Sequence, residues 1–420
     1  MSTRSPIWHP FTQHGLRPTL PVAVQAEGAY IATSDGRRIV DAISSWWVIT
    51  HGHRHPRIVA AIEAQARIMD QVIFAEFTHE PAETLARRLV RLAPPGLDHV
   101  FFSDSGSTSV EVALKMALGF WRHTGRPRHR IIVMEHSYHG DTVGTMSVGE
   151  RGPFTAAYDP LLFEVARIPF PAAGGEEATF EALEVHCRRG DAAAFIVEPL
   201  ILGAGGMLIY PPTVLARLRQ ICSAHEVLFI ADEVMTGWGR TGSLFACEQA
   251  GIAPDIACYS KGLTGGSMPL AVTLCSATIF DAHLSSDPRR TFFHSSSYTA
   301  NPIACAAAVA NLDVWEDEPV RERITALAAA QAGQLDRFRD DARFSSVRQL
   351  GTITALDLNA ETAGYLSEVG PRLRRAFQDA DVLLRPLGNT IYVMPPYCVT
   401  IQDLDLIYRA IERAAEQALS

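Results

Sequence analysis

Short apolar segments alternate with amphipathic helical stretches between about residue 60 and residue 310, and this alternation constrains the fold more than any other feature. The apolar segments are continuous runs of Val, Ile, Phe and Leu, which are typical of strands in a parallel sheet that helices cover on both faces. The sequence therefore predicts an α/β fold with a mostly parallel sheet. The predicted strands are His99–Ser103, Arg130–Met134, Ala194–Val197, Leu228–Ala231, Ile256–Tyr259 and Leu270–Leu274.

The sequence changes character after about residue 310. A long helix rich in Ala, Leu and Arg is followed there by strands near Thr352–Leu358 and Thr390–Val393 and by a closing helix. This pattern predicts a small α+β domain at 311–420 beside a large domain at 61–310. We expect the N-terminal segment, 1–60, to pack with the small domain.

The charge and cysteine content argue against several classes of protein. The formal net charge is −9 and the basic residues are scattered, so neither nucleic acid nor an anionic membrane is an expected partner. The seven cysteines are dispersed and form no CxxC pair, which indicates reduced thiols in a cytoplasmic protein. No apolar stretch follows the arginine of the N-terminal MSTRSPIWHPFTQ, so we expect no signal peptide.

Two neighbouring strands end in an acid and in a lysine. Leu228–Ala231 is followed by Asp232, and Ile256–Tyr259 is followed by Ser260 and Lys261. Ligands of parallel sheets bind at the carboxyl ends of the strands, where desolvation lowers the pKa of a lysine and makes it a nucleophile for a carbonyl. A pyridoxal-phosphate site needs both groups, the lysine for the aldehyde and the acid for the pyridine nitrogen. An acid or a lysine that occurs alone at a strand end is more often a helix cap or a solvated charge. The hypothesis of a pyridoxal-phosphate site therefore depends on the presence of both residues.

Two further strand ends offer groups that suit such a cofactor. Gly106 and Ser107 precede a predicted helix at Thr108–His123, and free N–H groups at a helix start bind phosphate, although the same pattern also makes an ordinary N-cap. Tyr138 follows Arg130–Met134 and could stack on a flat ring. The alternative for Tyr138 and His139 is a pair of loop residues whose hydrogen bonds are satisfied within the loop.

Two other patterns are weaker than they look. GWGRTG at 237–242 matches a dinucleotide fingerprint but opens no helix, so we interpret it as a loop that presents Arg240. The alternating histidines at positions 51, 53 and 55 resemble a metal cluster. Their loop has no nearby cysteine or carboxylate in the sequence, and a zinc site is not expected.

Five motifs, in order along nearly the whole chain, carry a family resemblance. DSGSTSVEVALKMA, SYHGD, IVEPLILGAGGM, LFIADEVMTGWGRTG and YSKGLTGG resemble the class III pyridoxal-phosphate-dependent aminotransferases. WHPFTQ, SSWW and RPLGNTIYVMPPY are similar to the members that aminate 8-amino-7-oxononanoate in biotin biosynthesis. The resemblance implies the fold type I of pyridoxal-phosphate transferases, and a homodimer whose active sites take residues from both subunits.

The resemblance also implies roles for individual residues. Lys261 would form the Schiff base and move the substrate proton, Asp232 would pair with the pyridinium nitrogen, and Tyr138 would lie against the ring. The remaining roles are phosphate binding by Gly106 and Ser107 with Ser296 and Ser297 of a second subunit, and substrate binding by Phe11, Trp46, Tyr138, Ser295 and Arg385.

The sequence departs from the family pattern at two positions. The segment His294–Ser297 reads HSSS where the family commonly has HGPT, so Ser295 replaces a glycine and could narrow the substrate path. Phe11 stands where many relatives have tyrosine, and related enzymes that take lysine instead of S-adenosylmethionine as amino donor can have phenylalanine at this position. S-adenosylmethionine remains the expected donor.

Two other functions compete with this prediction. An ω-amino-acid:pyruvate transaminase would have the same class III motifs. A pyridoxal-phosphate-binding regulator would need an appended DNA-binding module, and the first fifty residues offer no basic helix.

Overall fold

A seven-stranded sheet forms the centre of the molecule, for which the computed structural model describes residues 6–15, 20–360, 364 and 366–419. The spatial order of its strands is β4-β12-β11-β10-β7-β5-β6, and β12 runs antiparallel to the other six. In chain order these strands are β4 (His99–Ser103), β5 (Arg130–Met134), β6 (Ala166–Ile168), β7 (Ala192–Val197), β10 (Leu228–Asp232), β11 (Ile256–Tyr259) and β12 (Ala271–Cys275).

All six predicted strands are present, and the predicted α/β fold is confirmed. The antiparallel direction of β12 follows from its short connection to β11, because a parallel neighbour needs a crossover of a dozen residues or more. The short strand β6 was not predicted, since three residues give too short a pattern to recognise.

The second part of the fold joins the two ends of the chain. Strand β3 pairs in parallel with β15, so that Val40 lies opposite Val382 in a four-stranded sheet of order β1-β2-β3-β15. The predicted division into domains stays a prediction. The remaining strands are β1 (Ala23–Glu27), β2 (Tyr30–Thr33), β3 (Arg38–Asp41), β8 (Ile201–Leu202), β9 (Leu208–Ile209), β13 (Phe344–Leu350), β14 (Ile353–Leu358), β15 (Val382–Leu383) and β16 (Thr390–Val393).

Helices cover both faces of the central sheet, as continuous apolar strands require. No helix among the residues described is long and apolar enough to cross a membrane. The helices are α1 (Ser44–Trp47, one irregular turn), α2 (Pro56–Ala66), α3 (Glu80–Leu92), α4 (Gly106–His123), α5 (Val143–Ser147), α6 (Glu176–Arg188), α7 (Pro212–Ala224), α8 (Ala277–His283), α9 (Pro302–Asp317), α10 (Val320–Arg339), α11 (Val369–Asp379) and α12 (Ile401–Leu419).

Helix α4 shows how the sequence fixes one of these elements. Its first turn has a capping box, in which Ser105 Oγ accepts from Thr108 N and Thr108 Oγ1 accepts from Ser105 N. Its apolar stripe packs on the sheet, and Trp121 near its end donates to Ala193 O at 2.8 Å. The helix start is therefore held beside the carboxyl end of β4.

Candidate active site

A cavity of about 320 Å³ lies at the carboxyl ends of β5 and β11. It brings together five residues that the sequence placed in the site. These are Phe11, Trp46, Tyr138, Lys261 and Arg385, and the wall is completed by Pro10, Trp47, Asp141, Phe154, Ala204, Pro386, Leu387 and Tyr392.

Lys261 reaches this cavity from a left-handed turn directly after β11, with φ of +49°. Asn311 on α9 holds the turn by donating to the carbonyls of Gly262 and Leu263, each at 3.0 Å. Nζ lies 4.7 Å from the centre of the Trp47 ring, and no hydrogen bond or ion pair to it is found among the residues described. A lysine held in this way is free to react.

Burial lowers the pKa of Lys261 to about 8, against the opposing charges of Asp232 and Glu198, which raise it. With a pKa of about 8, roughly a tenth of the amine is neutral at pH 7, and the neutral fraction increases as the pH rises through 8. Only the neutral amine attacks a carbonyl. The site thus supplies a nucleophile that an exposed lysine does not.

Asp232 ends β10 and is buried beside His139. Its Oδ2 lies 2.7 Å from His139 Nδ1, and its Oδ1 accepts from Val234 N at 3.1 Å. If the carboxylate is ionised, Nδ1 is the donor, and Nε2 of His139 is buried without a partner in the part of the chain described here. The sequence left open whether His139 is only a loop residue, and in the structure its Nδ1 contact orients Asp232.

The start of α4 is the place where the sequence predicted phosphate binding. Because Ser105 takes the capping role, the N–H groups of Gly106 and Ser107 meet no acceptor among the residues described. A Cβ on Gly106 would lie 2.6 Å from the Val234 side chain, and one on Gly140 would lie 2.0 Å from Ser107 Oγ. Glycine at both positions therefore allows the Val234 side chain and the loop at residue 140 to pack closely against the helix start, which a Cβ would prevent.

Glu198 is a functional candidate that the sequence reasoning missed. It follows β7, is buried, and accepts from Tyr138 N at 3.0 Å and from Gly203 N at 2.9 Å. Burial raises its pKa to about 7. Its contact with the Tyr138 backbone fixes the residue that lines the cavity, and its position at a strand end was the signal that could have found it.

Arg385 and two aromatic rings form the opposite side of the cavity. Arg385 Nη2 donates to Phe11 O at 3.0 Å, and its guanidinium carbon lies 5.1 Å from the Trp46 ring centre. The Phe11 ring meets Trp46 and Phe154 edge to face, at 5.6 and 5.9 Å. This side therefore combines one cation with an apolar aromatic wall.

Comparison with known proteins decides the family. The profile of the family Aminotransferase class-III matches residues 11–415. The chain belongs to the class-III aminotransferases. It is similar to the adenosylmethionine-8-amino-7-oxononanoate aminotransferase of Synechococcus elongatus, with 46% identity over 98% of both chains, and to that of Geobacter sulfurreducens, with 39% identity over 98% of this chain and 96% of that one.

Solved structures of class-III aminotransferases agree with this fold. The adenosylmethionine-8-amino-7-oxononanoate aminotransferase of Methanocaldococcus jannaschii has a TM-score of 0.94 and 31% identity over 98% of this chain and 97% of that one. An amine transaminase of an uncultivated Pseudomonas species, solved in its pyridoxal-phosphate-bound form, has a TM-score of 0.91 and 31% identity over 100% of both chains. Pyridoxal phosphate is thus the cofactor that the family implies for this aminotransferase.

The three serines assigned to the second subunit lie outside the cavity of their own chain. Ser295 and Ser297 are exposed and Ser296 is half-buried. Gln71 Nε2 donates to Ser297 O at 2.8 Å, and Thr299 Oγ1 accepts from Ser296 N at 3.0 Å. Their contact with substrate and phosphate across a dimer stays a prediction.

The two weaker sequence patterns have structural roles in this aminotransferase. Arg240, in the loop 237–242, is buried and donates to Ile49 O at 2.8 Å and Pro395 O at 2.9 Å, so it joins two loops rather than facing a ligand. Each histidine of the 51–55 loop has its own partner, and two of these are carboxylates, which the sequence had not shown to be near. The pairs are His51 with Asn311, His53 with Asp41 and His55 with Glu318.

Proposed function

We propose that this aminotransferase transfers an amino group from S-adenosylmethionine to 8-amino-7-oxononanoate and so forms 7,8-diaminononanoate in biotin biosynthesis. The observation that carries the proposal is that a single cavity is lined by Lys261, whose pKa is lowered, by Arg385, and by several aromatic side chains. The relatives named for this reaction, at up to 46% identity over nearly the full chain, support it.

The residues of the cavity fit pyridoxal phosphate. When bound, this cofactor accepts the electron pair that is left on the substrate carbon when its proton is removed. Lys261 would hold the cofactor covalently through Nζ, with release of water from its aldehyde, and would move the proton at the substrate carbon. Asp232, oriented by His139, holds positive charge at the ring nitrogen. The N–H groups of Gly106 and Ser107 bind the phosphate, with Ser296 and Ser297 of a second subunit.

The opposite side of the cavity positions the keto acid. Arg385 uses one nitrogen for the Phe11 carbonyl and keeps the rest of its planar fork for the substrate carboxylate. Trp46 and Tyr138 border the aliphatic chain between this arginine and Lys261. The aromatic side chains among the lining residues would limit the access of water to the reacting carbon, and these are Phe11, Trp46, Trp47, Tyr138, Phe154 and Tyr392.

A transaminase that acts on ω-amino acids and pyruvate is the second candidate, since a solved amine transaminase shares the fold at 31% identity. Purified protein is supplied with each amino donor and either 8-amino-7-oxononanoate or pyruvate, and the product amines are quantified. The proposal expects 7,8-diaminononanoate to form faster by far than alanine. Alanine as the main product would replace the proposal with the second candidate.

We further propose that the protein is a homodimer. An exposed apolar patch surrounds the segment 293–298, in which Phe293 is 70% and Tyr298 64% exposed. Ile68, Ile73 and Phe77 extend it on a segment that Gln71 ties to Ser297. A second copy would bury these five exposed apolar side chains, and exposed apolar patches commonly mark protein–protein interfaces. Sedimentation equilibrium tests this, and a monomer at micromolar concentration would contradict it.

We also place the protein in the cytoplasm. All seven cysteines are free, and six of them are buried. Such thiols suit a reducing compartment, where no disulfide forms. Fractionation of cells that produce the protein tests this placement.

Substitution of Arg385 by lysine is expected to raise the KM for 8-amino-7-oxononanoate by about tenfold or more, because a point charge replaces a planar fork of donors. The half-reaction with S-adenosylmethionine should change much less. Stopped-flow absorbance of the cofactor follows each half-reaction separately. Equal damage to both would indicate a shared carboxylate site or a structural role through the Phe11 carbonyl.

Phe11 bears on the amino donor. Substitution by tyrosine adds a hydroxyl, whose hydrogen bond is worth roughly 0.5–1.5 kcal/mol, so Phe11→Tyr should tighten S-adenosylmethionine binding by about two- to twelvefold. The phenylalanine ring already offers an aromatic face for adenine, and Trp46 and Trp47 lie beside it in the same wall.

Single-turnover rates with S-adenosylmethionine and with lysine, measured in both proteins, check this expectation. If lysine reacts readily and S-adenosylmethionine does not, even in Phe11→Tyr, the donor is lysine. Ser295→Gly, measured in parallel, reports whether that serine narrows the donor's path.

A further inference from the structure

Lys115 has a position that the transamination chemistry does not explain. It is one of two lysines among the 37 basic residues of the sequence, and the other is Lys261. It lies on the exposed side of α4, where Nζ donates to Phe293 O at 2.6 Å and lies 3.1 Å from His294 Nδ1. The contact is with the residues directly before Ser295.

The chemistry of this contact favours an ammonium group. Burial and the Lys115 charge lower the pKa of His294, so a neutral imidazole accepts from Nζ at Nδ1. One compact ammonium with three donors serves both acceptors, whereas a planar guanidinium directs its donors in a fixed fork. The centre of the Phe292 ring lies 5.7 Å from Lys115 Nζ, and this ring also packs edge to face on Phe101.

The serine segment 295–297 is therefore held from both ends. Lys115 fixes the residues before it, and Gln71 fixes the Ser297 carbonyl at its end. Between the two anchors, the serine hydroxyls make contacts only within the segment and with Thr299, among the residues described. The hydroxyls remain available to a group from outside the chain.

Lys115 cannot reach the predicted phosphate-binding position of its own chain. It lies nine residues along α4 from Gly106, which is about 13 Å at the rise of an α-helix. The segment that it does contact lies outside its own cavity, between the exposed side chains of Phe293 and Tyr298.

We propose that Lys115 is a positioning residue that acts in trans: it orders the segment 293–298, whose serines complete the cofactor phosphate site of the partner subunit. The inference rests on the proposed transaminase function and its dimer. Lys115 touches neither cofactor nor substrate. Because it orders the segment before binding, the serines lose less conformational entropy when they bind phosphate.

The first test is the affinity of the apoenzyme for pyridoxal phosphate, followed by the visible absorbance of the lysine-bound cofactor. Lys115→Met should weaken binding by on the order of tenfold. Arg122→Met, which removes an exposed cation two turns further along α4, is the matched control and should bind as the wild type does. Unchanged affinity in Lys115→Met would overturn the proposal.

Mixed dimers, made by co-expression with two affinity tags, separate action in trans from action in cis. One mixed dimer pairs a Lys115→Met chain with a Lys261→Ala chain. Only the Lys115→Met chain retains Lys261 and gives the absorbance. Its site receives the segment 293–298 of the Lys261→Ala chain, in which Lys115 is intact. Its affinity should return to the wild-type value. An affinity as weak as that of the Lys115→Met homodimer would place the effect in cis, or in damage to the fold, and would overturn the proposal.

The reciprocal dimer holds the same substitutions in the opposite arrangement. Wild-type chain paired with the double variant Lys115→Met/Lys261→Ala has one competent site, which faces an altered segment, and should bind weakly. Wild-type affinity there would also overturn the proposal. Failure of the proposed function is distinct, because the wild-type protein itself would then form no lysine-bound cofactor or transfer no amino group.

Discussion

Replacement of Lys261 by alanine is expected to lower the turnover number by roughly four to six orders of magnitude, because covalent catalysis and proton transfer are lost together. The fold should persist. Alanine has the same Cβ as lysine and tolerates the left-handed turn at φ of +49° equally well, and the two Asn311 hydrogen bonds to the following carbonyls remain. Steady-state kinetics and circular dichroism measure the two expectations.

Borohydride reduction identifies the reacting lysine independently of the kinetics. The reduced cofactor should appear on the peptide that contains Lys261, and with only two lysines in the sequence the assignment is unambiguous. Methylamine added to Lys261→Ala should recover part of the activity, since a free amine can enter the vacated space. A label on Lys115 instead would overturn the assignment of the whole site.

The central sheet could be predicted because its strands are buried on both faces. The run at Ile256–Tyr259, in which every residue is buried, was placed at the bounds that the structure gives. The edge strand His99–Ser103 was also placed at its bounds, because its central Val-Phe-Phe run is apolar. The strands near the N-terminus were not predicted. Those at Ala23–Glu27 and Tyr30–Thr33 are mostly exposed or half-buried, so their sequences carry no clear alternation.

The site could be predicted only as far as strand ends allow. Lys261, Asp232 and Tyr138 each follow a recognisable strand, and parallel strands bring their ends to one edge of the sheet. The contacts of His139 and Glu198 depend on which strands are neighbours. β7 lies between β5 and β10 in the sheet, an order that no local pattern in the sequence reveals.

The family resemblance supplied what spacing alone could not. Nothing in the local sequence joins Phe11 to Arg385, 374 residues away, yet their hydrogen bond closes one side of the cavity. Such a contact follows from the packing of both chain ends together, which the pairing of β3 with β15 provides. Sequence reasoning on single segments has no means to find it.

Acid-to-amide changes at two adjacent buried positions should separate electrostatic catalysis from folding. Glu233→Gln is the matched control for Asp232→Asn. The Glu233 carboxylate accepts from the N–H groups of Ala246 and Cys247 at 2.7 and 2.8 Å, and it lies away from the cavity. Loss of this carboxylate should lower the thermal stability and leave the turnover number of the folded protein nearly unchanged.

Asp232→Asn should fold and bind pyridoxal phosphate but lose about 10²- to 10³-fold in turnover, because a neutral amide cannot hold positive charge at the ring nitrogen. The amide can keep the contact with Val234 N, and His139 can offer Nδ1 as an acceptor by moving its proton to Nε2.

Asp232→Ala should recover activity with a cofactor analogue methylated on the ring nitrogen, since that charge is permanent and the shorter side chain leaves room for the methyl group. Near wild-type turnover in Asp232→Asn would reduce Asp232 to a structural acid, and failure of the analogue to help Asp232→Ala would mean that geometry, not charge, is what the carboxylate supplies.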